Sequence, residues 1–113
     1  MISKKIIFFG IIILILGCQK QNYDSFAKCL SEKGMVMYGA YWCDHCKEQK
    51  KMFGSSFKYI NYVECTEKQQ TCDDAGIKGY PTWVIEGKNY EGVQLLYNLS
   101  SLTECEIGQF NKS

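Results

Sequence analysis

An unbroken apolar and uncharged run, Met35 to Tyr41, leads directly into Trp42-Cys43-Asp44-His45-Cys46. A run of that length and composition suits a central strand buried on both faces. The stretch that follows, Cys43 to Phe53, reads as a helix with Lys47, Glu48, Lys50 and Lys51 on a solvated face and Gly54 as its stop. A strand feeding straight into a helix puts both cysteines on the first helical turn, where their spacing lets a disulfide close with little backbone movement. The first of them also lies where unpaired backbone N–H groups point outward. Those donors and the helix dipole stabilise a thiolate, which lowers the pKa of the thiol and improves it as nucleophile and leaving group. Cys43 is therefore expected to be the exposed attacking sulfur, and Cys46, one turn in, the buried resolving sulfur.

The rest of the composition narrows the field. A chain of 113 residues holds one domain. Its 13 basic residues are all lysine and stand against 12 acidic ones, so it lacks both the basic footprint and the forked arginine donors of a nucleic-acid reader. At 46% hydrophobic and 14% aromatic it is too apolar for a disordered tail. At the N-terminus Lys4 and Lys5 precede an apolar segment, Ile6 to Leu16, broken only by Gly10. As a helix that segment reaches about 16 Å, short of a hydrocarbon core of about 30 Å, and it fits the apolar region of a secretory signal. It closes on Ile15-Leu16-Gly17-Cys18, which resembles the lipobox of prokaryotic lipoproteins. That resemblance implies a signal peptide over residues 1–17, lipidation of Cys18 as a membrane anchor, a polar tether over 18–23 and a domain over 24–113. A plain signal peptide or a short uncleaved anchor is the simpler alternative. All three place the domain outside the cytoplasm, at the cell surface or in a periplasm.

Along the domain, Asp24 or Ser25 can cap a helix running to about Lys33, with Phe26, Leu30 and Cys29 on its inner face and Gly34 as the stop. Phe57 to Cys65 reads as the second strand, and Thr66 to Gly76 holds a short helix at best. Thr82–Glu86 and Asn89–Val93 form a hairpin about Gly87-Lys88, and Leu95 to Thr103 is a final helix striped by Leu95, Leu96, Leu99 and Leu102. With Cys18 set aside, Cys29, Cys43, Cys46, Cys65, Cys72 and Cys105 remain. An even number in a small exported domain implies disulfides, in a connectivity that spacing alone leaves open.

The strand, the Trp-Cys-x-x-Cys helix start and the later Gly79-Tyr80-Pro81-Thr82 together resemble a thioredoxin fold, an α/β architecture with a central mixed sheet of about four strands flanked by helices. In that family the proline is cis and packs opposite the redox pair, where the preceding residue's backbone can hold an incoming peptide; Pro81 is the only proline here. Phe26-Ala27-Lys28-Cys29-Leu30, Met37 to Cys43, Val63-Glu64-Cys65 and Gly76 to Trp83 further resemble the thioredoxin-like domain fused to vitamin K epoxide reductase (VKOR) homologues. This likeness implies a thiol–disulfide oxidoreductase that acts on exported proteins with a VKOR/DsbB-like membrane quinone reductase as partner and no cofactor of its own. It also implies a second pair, Cys65 with Cys72, which leaves Cys29 and Cys105 to each other by elimination. These four read as stabilising crosslinks rather than a relay.

Trp42 and Tyr80 are candidates for an apolar peptide-docking surface beside the pair, whereas Tyr38 and Trp83 read as core. His45 is the one histidine in the chain; near the first thiolate it can donate a hydrogen bond, stabilise the reduced form and tune the couple toward oxidation. Asp44 works in the opposite sense. Met37 stands six residues before Cys43, where thioredoxin carries a buried acid as proton relay, so a relay needs water or another group, with Glu48 one candidate. Leu95 stands where a capping serine is usual. Two other readings stay open: a disulfide reductase or isomerase, and a lipoprotein that binds copper or zinc through Cys43, His45 and Cys46.

Overall fold

The computed structural model describes residues 22–108. The leader, Cys18 and the tether up to residue 21 lie outside that range. The first helix, α1, is Asp24–Glu32, and it buries Phe26, Ala27 and Leu30. Neither Asp24 nor Ser25 caps it. Tyr23 takes the N-cap position without a side-chain cap bond, and Asp24 is the first helical residue, where its carboxylate complements the dipole. Asp24 Oδ1 accepts from Ser56 Oγ at 2.6 Å, and that oxygen accepts the Tyr23 N–H at 3.0 Å. Tyr23 also packs on the core, so the folded unit begins inside the stretch expected to be tether. Gly34, at φ 91°, ends the helix as expected.

Strand β1, Val36–Gly39, is shorter than the apolar run it occupies. Its burial alternates, with Met37 and Gly39 buried and Val36 and Tyr38 half-buried, so one face carries the core and the other is only partly covered. It lies parallel to β2 (Asn61–Glu64) from Val36↔Asn61 to Gly39↔Glu64, and antiparallel to β3 (Thr82–Ile85), with Met37 opposite Trp83. β4 (Lys88–Glu91) completes a mixed sheet in the order β2-β1-β3-β4. Parallel neighbours need a crossover, and α2 (Asp44–Phe53) supplies it.

Part of the expected second strand is helical. Gly54–Tyr59 forms a 3-10 turn in which Phe57 meets Phe53 at 6.1 Å and Tyr62 at 5.7 Å between ring centroids. Aromatic residues fit a strand or a packed turn equally well, and here packing under α2 decides. α3 is the short helix Gln69–Asp74. The hairpin turns one residue earlier than expected: Ile85 pairs with Lys88, and Glu86 and Gly87 take φ of 51° and 76°, the left-handed values a tight hairpin turn demands. α4 is Leu96–Thr103, with Leu95 as an N-cap that makes no side-chain bond. Its apolar stripe is narrower than expected, since Leu99 is fully buried while Leu95 and Leu102 are exposed.

The core centres on Phe53, whose ring lies 6.0 Å from both Phe26 and Trp83. Two disulfides tie the periphery. Cys29–Cys105 joins α1 to the segment after α4, and Cys65–Cys72 joins the end of β2 to α3.

Candidate active site

β1 delivers the chain to the site and α2 begins it. After Gly39 the buried Ala40 carbonyl accepts the Cys43 N–H at 3.1 Å, which turns the chain into the helix. Cys43 is the N-cap residue of α2, and its Sγ accepts the Cys46 N–H at 3.1 Å. That is a backbone donor aimed at sulfur from a helix N-terminus, the arrangement that favours negative charge there. The thiol also lies 3.7 Å from the Tyr80 carbonyl, to which it donates. Cys43 and Cys46 are both free thiols. The exposure expected of Cys43 is small: 7% of it is accessible, against none of Cys46. Its sulfur turns inward toward the Cys46 amide and the Tyr80 carbonyl, which leaves a narrow approach.

Cys46 sits under the end of β1. A Cβ on Gly39 would stand 2.8 Å from its sulfur, so only glycine fits beside it. Burial first, then the hydrogen bond and charge of Cys43, push the Cys46 thiol up to about 12, against a smaller opposite pull from the Ala40 N–H and Lys50. At neutral pH it is a protonated thiol.

The structure brings Tyr80, Pro81 and Trp42 to the pair. The Tyr80–Pro81 peptide is cis, and the Trp42 and Tyr80 rings meet edge to face at 5.8 Å. Trp42 and Tyr41 are largely exposed, so an apolar surface borders the sulfur, while Trp83 is wholly core and Tyr38 half-buried. His45 is placed differently from expectation. Its side chain is 74% exposed, and Nδ1 faces Glu48 Oε1 at 3.5 Å, so its partner is Glu48 rather than Cys43. Two residues after the N-cap, its side chain projects outward from the helix, away from the Cys43 sulfur. Glu48 shares that exposed face, which removes it as a proton group for buried Cys46. Asp44 is 96% exposed, with Lys47 Nζ at 3.9 Å. Among the described residues no three His, Cys, Asp or Glu side chains converge as a metal set.

Three residues at or near the site carry roles that the sequence reading missed. Gln49, fully buried, accepts from Trp83 Nε1 and the Gln94 N–H through Oε1, and donates to the Gln94 carbonyl through Nε2. It locks α2 to β3 and to the approach to α4. The i, i+3, i+7 spacing of Cys46, Gln49 and Phe53 was the available signal, since those positions share one helix face. The other two, Tyr62 and Glu64, lie on β2. Tyr62 Oη donates to Glu64 Oε1 at 2.7 Å, and Glu64 Oε2 accepts the Tyr41 N–H at 3.0 Å and Thr66 Oγ at 2.7 Å. Glu64 thus holds the loop two residues before Cys43.

The thioredoxin family model matches residues 15–102. The chain belongs to the thioredoxin family. It is 43% identical over 96 residues to the thiol-disulfide oxidoreductase LTO1 of Arabidopsis thaliana, covering 77% of this chain and 26% of that protein. It is 31% identical over 99 residues to a thioredoxin domain-containing protein 5 homolog of Drosophila melanogaster, covering 75% and 24%. A probable protein disulfide-isomerase ER-60 of Schistosoma mansoni is 31% identical over 80 residues, covering 63% and 16%. The chain thus spans about a quarter or less of the length of these relatives. Within that family match the chain keeps both sulfurs of its Cys-x-x-Cys turn, Cys43 and Cys46.

Proposed function

We propose that this protein is an exported, membrane-tethered thiol–disulfide oxidoreductase that donates disulfides to folding proteins outside the cytoplasm. The observation that carries the reading is Cys43 Sγ at the helix N-cap, with the Cys46 N–H at 3.1 Å and the Tyr80 carbonyl at 3.7 Å. A sulfur so placed can leave as a thiolate, and it sits beside the backbone of a loop where an extended peptide can lie.

In the oxidised form a substrate thiolate attacks Cys43 Sγ. The Cys43–Cys46 bond breaks, and Cys46 leaves with the electron pair and takes up a proton. A second substrate thiolate then attacks the substrate sulfur of the mixed disulfide. A substrate disulfide forms, and Cys43 leaves as a thiolate that accepts the Cys46 N–H. The substrate has lost two electrons and the pair has gained them. Trp42, Tyr80 and Pro81 border this event as the docking surface. The resemblance to VKOR-associated domains supports a VKOR/DsbB-like membrane quinone reductase as the acceptor of those electrons, and the lipobox-like ending supports a lipid anchor at Cys18. Cys65–Cys72 and Cys29–Cys105 act as structural crosslinks.

The relative named as a protein disulfide-isomerase favours a second reading, in which the reduced pair rearranges or reduces substrate disulfides. One titration separates the two. The full chain is equilibrated in graded glutathione buffers and the Cys43–Cys46 state is read by alkylation and mass. A potential near or above about −180 mV makes the pair a donor, and one near about −270 mV makes it a reductase. In either case Cys46→Ser should trap a mixed disulfide and Cys43→Ser should abolish exchange. Full activity in Cys43→Ser would end the oxidoreductase reading.

A further inference from the structure

We propose that Tyr62 and Glu64 are the proton path of Cys46, resting on the oxidoreductase reading above. In every turnover, whichever way electrons flow, Cys46 passes between thiol and thiolate. It does so with no accessible surface, so the proton must travel through the protein. β1 presents no titratable side chain to it: Gly39 lies over the sulfur, and the relay position six residues before Cys43 is the apolar Met37. From α2, Lys50 and Cys43 act on it electrostatically, while Asp44, His45 and Glu48 project to solvent. From β2 comes Tyr62.

The missing side chain of Gly39 is what lets Tyr62 take part. The point where its Cβ would stand is 2.8 Å from Cys46 Sγ, 3.3 Å from Tyr62 Oη and 3.2 Å from Tyr62 Cε1. Sulfur and phenol therefore both border the space that this side chain would fill. The phenol proton is already directed at Glu64 Oε1, 2.7 Å away, and the other carboxylate oxygen is fixed by the Tyr41 N–H and Thr66 Oγ. Lys50 Nζ lies 4.3 Å over the Tyr62 ring and lowers the cost of charge on Cys46.

Burial, then Glu64, hold the phenol well above its ordinary range, so Tyr62 does not ionise; it can only take one proton while giving another. Burial works against the Glu64 carboxylate, but the hydrogen bonds from Thr66, Tyr62 and the Tyr41 N–H outweigh it and keep the acid below its usual range. Glu64 is half-exposed and so returns the proton to water.

When a mixed disulfide resolves, the balance is as follows. The Cys46 proton moves to Tyr62 Oη as the phenol proton moves to Glu64 Oε1. The Cys46 thiolate attacks Cys43 Sγ, the Cys43–Cys46 bond forms, and the partner leaves with the electron pair as a thiolate that water protonates. In that intermediate Cys43 carries neither charge nor S–H, so two of the causes that raise the Cys46 thiol are gone. Disulfide donation runs the same path backward.

The test mixes the reduced full chain with oxidised glutathione between pH 6 and 9, with acid quench and mass analysis to separate capture at Cys43 from resolution by Cys46. Tyr62→Phe should capture glutathione within about twofold of the wild-type rate and resolve it about tenfold or more slowly at pH 7, the deficit closing as hydroxide takes over at higher pH. Glu64→Gln should show the same split. Resolution within about twofold of wild type in Tyr62→Phe overturns the path, as does a fall of both steps by one factor, which marks mere packing. A normal second step in Glu64→Gln alone removes Glu64. A wild-type chain that forms neither a mixed disulfide nor the Cys43–Cys46 disulfide overturns the oxidoreductase reading and the path with it.

Discussion

Gln49→Met is the sharpest test of what holds the helix bearing the two cysteines against the sheet. Gln49 Oε1 accepts two hydrogen bonds, at 2.8 Å from Trp83 Nε1 and 2.7 Å from the Gln94 N–H, and Nε2 returns one to the Gln94 carbonyl at 2.9 Å. Methionine keeps the length and volume of the side chain, so cavity and overpacking terms stay small. What it removes is the acceptor. Trp83 is fully buried, so its indole N–H has no route to water, and a buried donor left unmade costs about 1–3 kcal/mol. The two Gln94 backbone groups are half-buried and belong at the bottom of that range. The total is about 3–5 kcal/mol, a large share of the roughly 5–15 kcal/mol that stabilises a small domain. Tm should fall by about 12–40 °C at the usual scale of about 4–8 °C per kcal/mol. The assay is urea unfolding of the full chain with its disulfides intact, followed by far-UV circular dichroism. Gln94→Ala, which removes only bonds from the Gln94 side chain to the Glu91 and Gly92 carbonyls, is the control and should cost under about 1 kcal/mol. A cost below about 1 kcal/mol for Gln49→Met would refute the reasoning, because the orphaned donors would then have found partners the structure does not show.

The two crosslinks should differ in worth because they close loops of different length. With sequence separations of 76 and 7, chain entropy assigns about 4.5 kcal/mol to Cys29–Cys105 and about 2.5 kcal/mol to Cys65–Cys72. Paired alanine variants compared by urea unfolding check the order, and equal losses would count against loop closure as the source. Buried Cys46 should make stability fall with alkaline pH. Its folded value is raised above the unfolded one, so its contribution is whole below about pH 9 and is lost as pH rises toward about 12. Cys43→Ser, which needs no reductant and keeps burial as the main cause, should lose up to about 1.4 kcal/mol per pH unit relative to Cys43→Ser/Cys46→Ser across that window. Parallel curves for the two chains would show that Cys46 ionises as readily folded as unfolded.

Local chemistry explains why much of this fold was legible in the sequence. The apolar run to Tyr41, the glycines at 34 and 54, and the Glu86-Gly87-Lys88 stretch each constrain their own few residues, so strand, helix stops and hairpin could be placed within a residue or two. Errors arose where packing chose between conformations that composition leaves open. Phe57 to Tyr59 suit a strand, but their rings fill the space beside Phe53 and Tyr62 only when the backbone turns. Leu95 and Leu102 fit an apolar stripe, but only Leu99 and part of Leu96 find the core to cover.

For the site, legibility divides along the same line. Cys43 and Cys46 announce themselves through a spacing that one helical turn imposes, and Tyr80 and Pro81 through a short motif. The orientation of His45 is not encoded that way: the sequence puts it between two sulfurs, and the geometry of a first helical turn points it out toward Glu48. Tyr62 and Glu64 were invisible for a deeper reason. Their place beside the pair follows from a parallel register that sets Met37 beside Tyr62 and Gly39 beside Glu64. That register is fixed by the length of the α2 crossover and the packed turn after it, not by anything near the cysteines in sequence. The glycine that makes room for the Cys46 sulfur therefore also opens it toward the strand that carries the phenol and the carboxylate. One small residue in β1 thereby couples the burial of the second cysteine to the group that can exchange its proton.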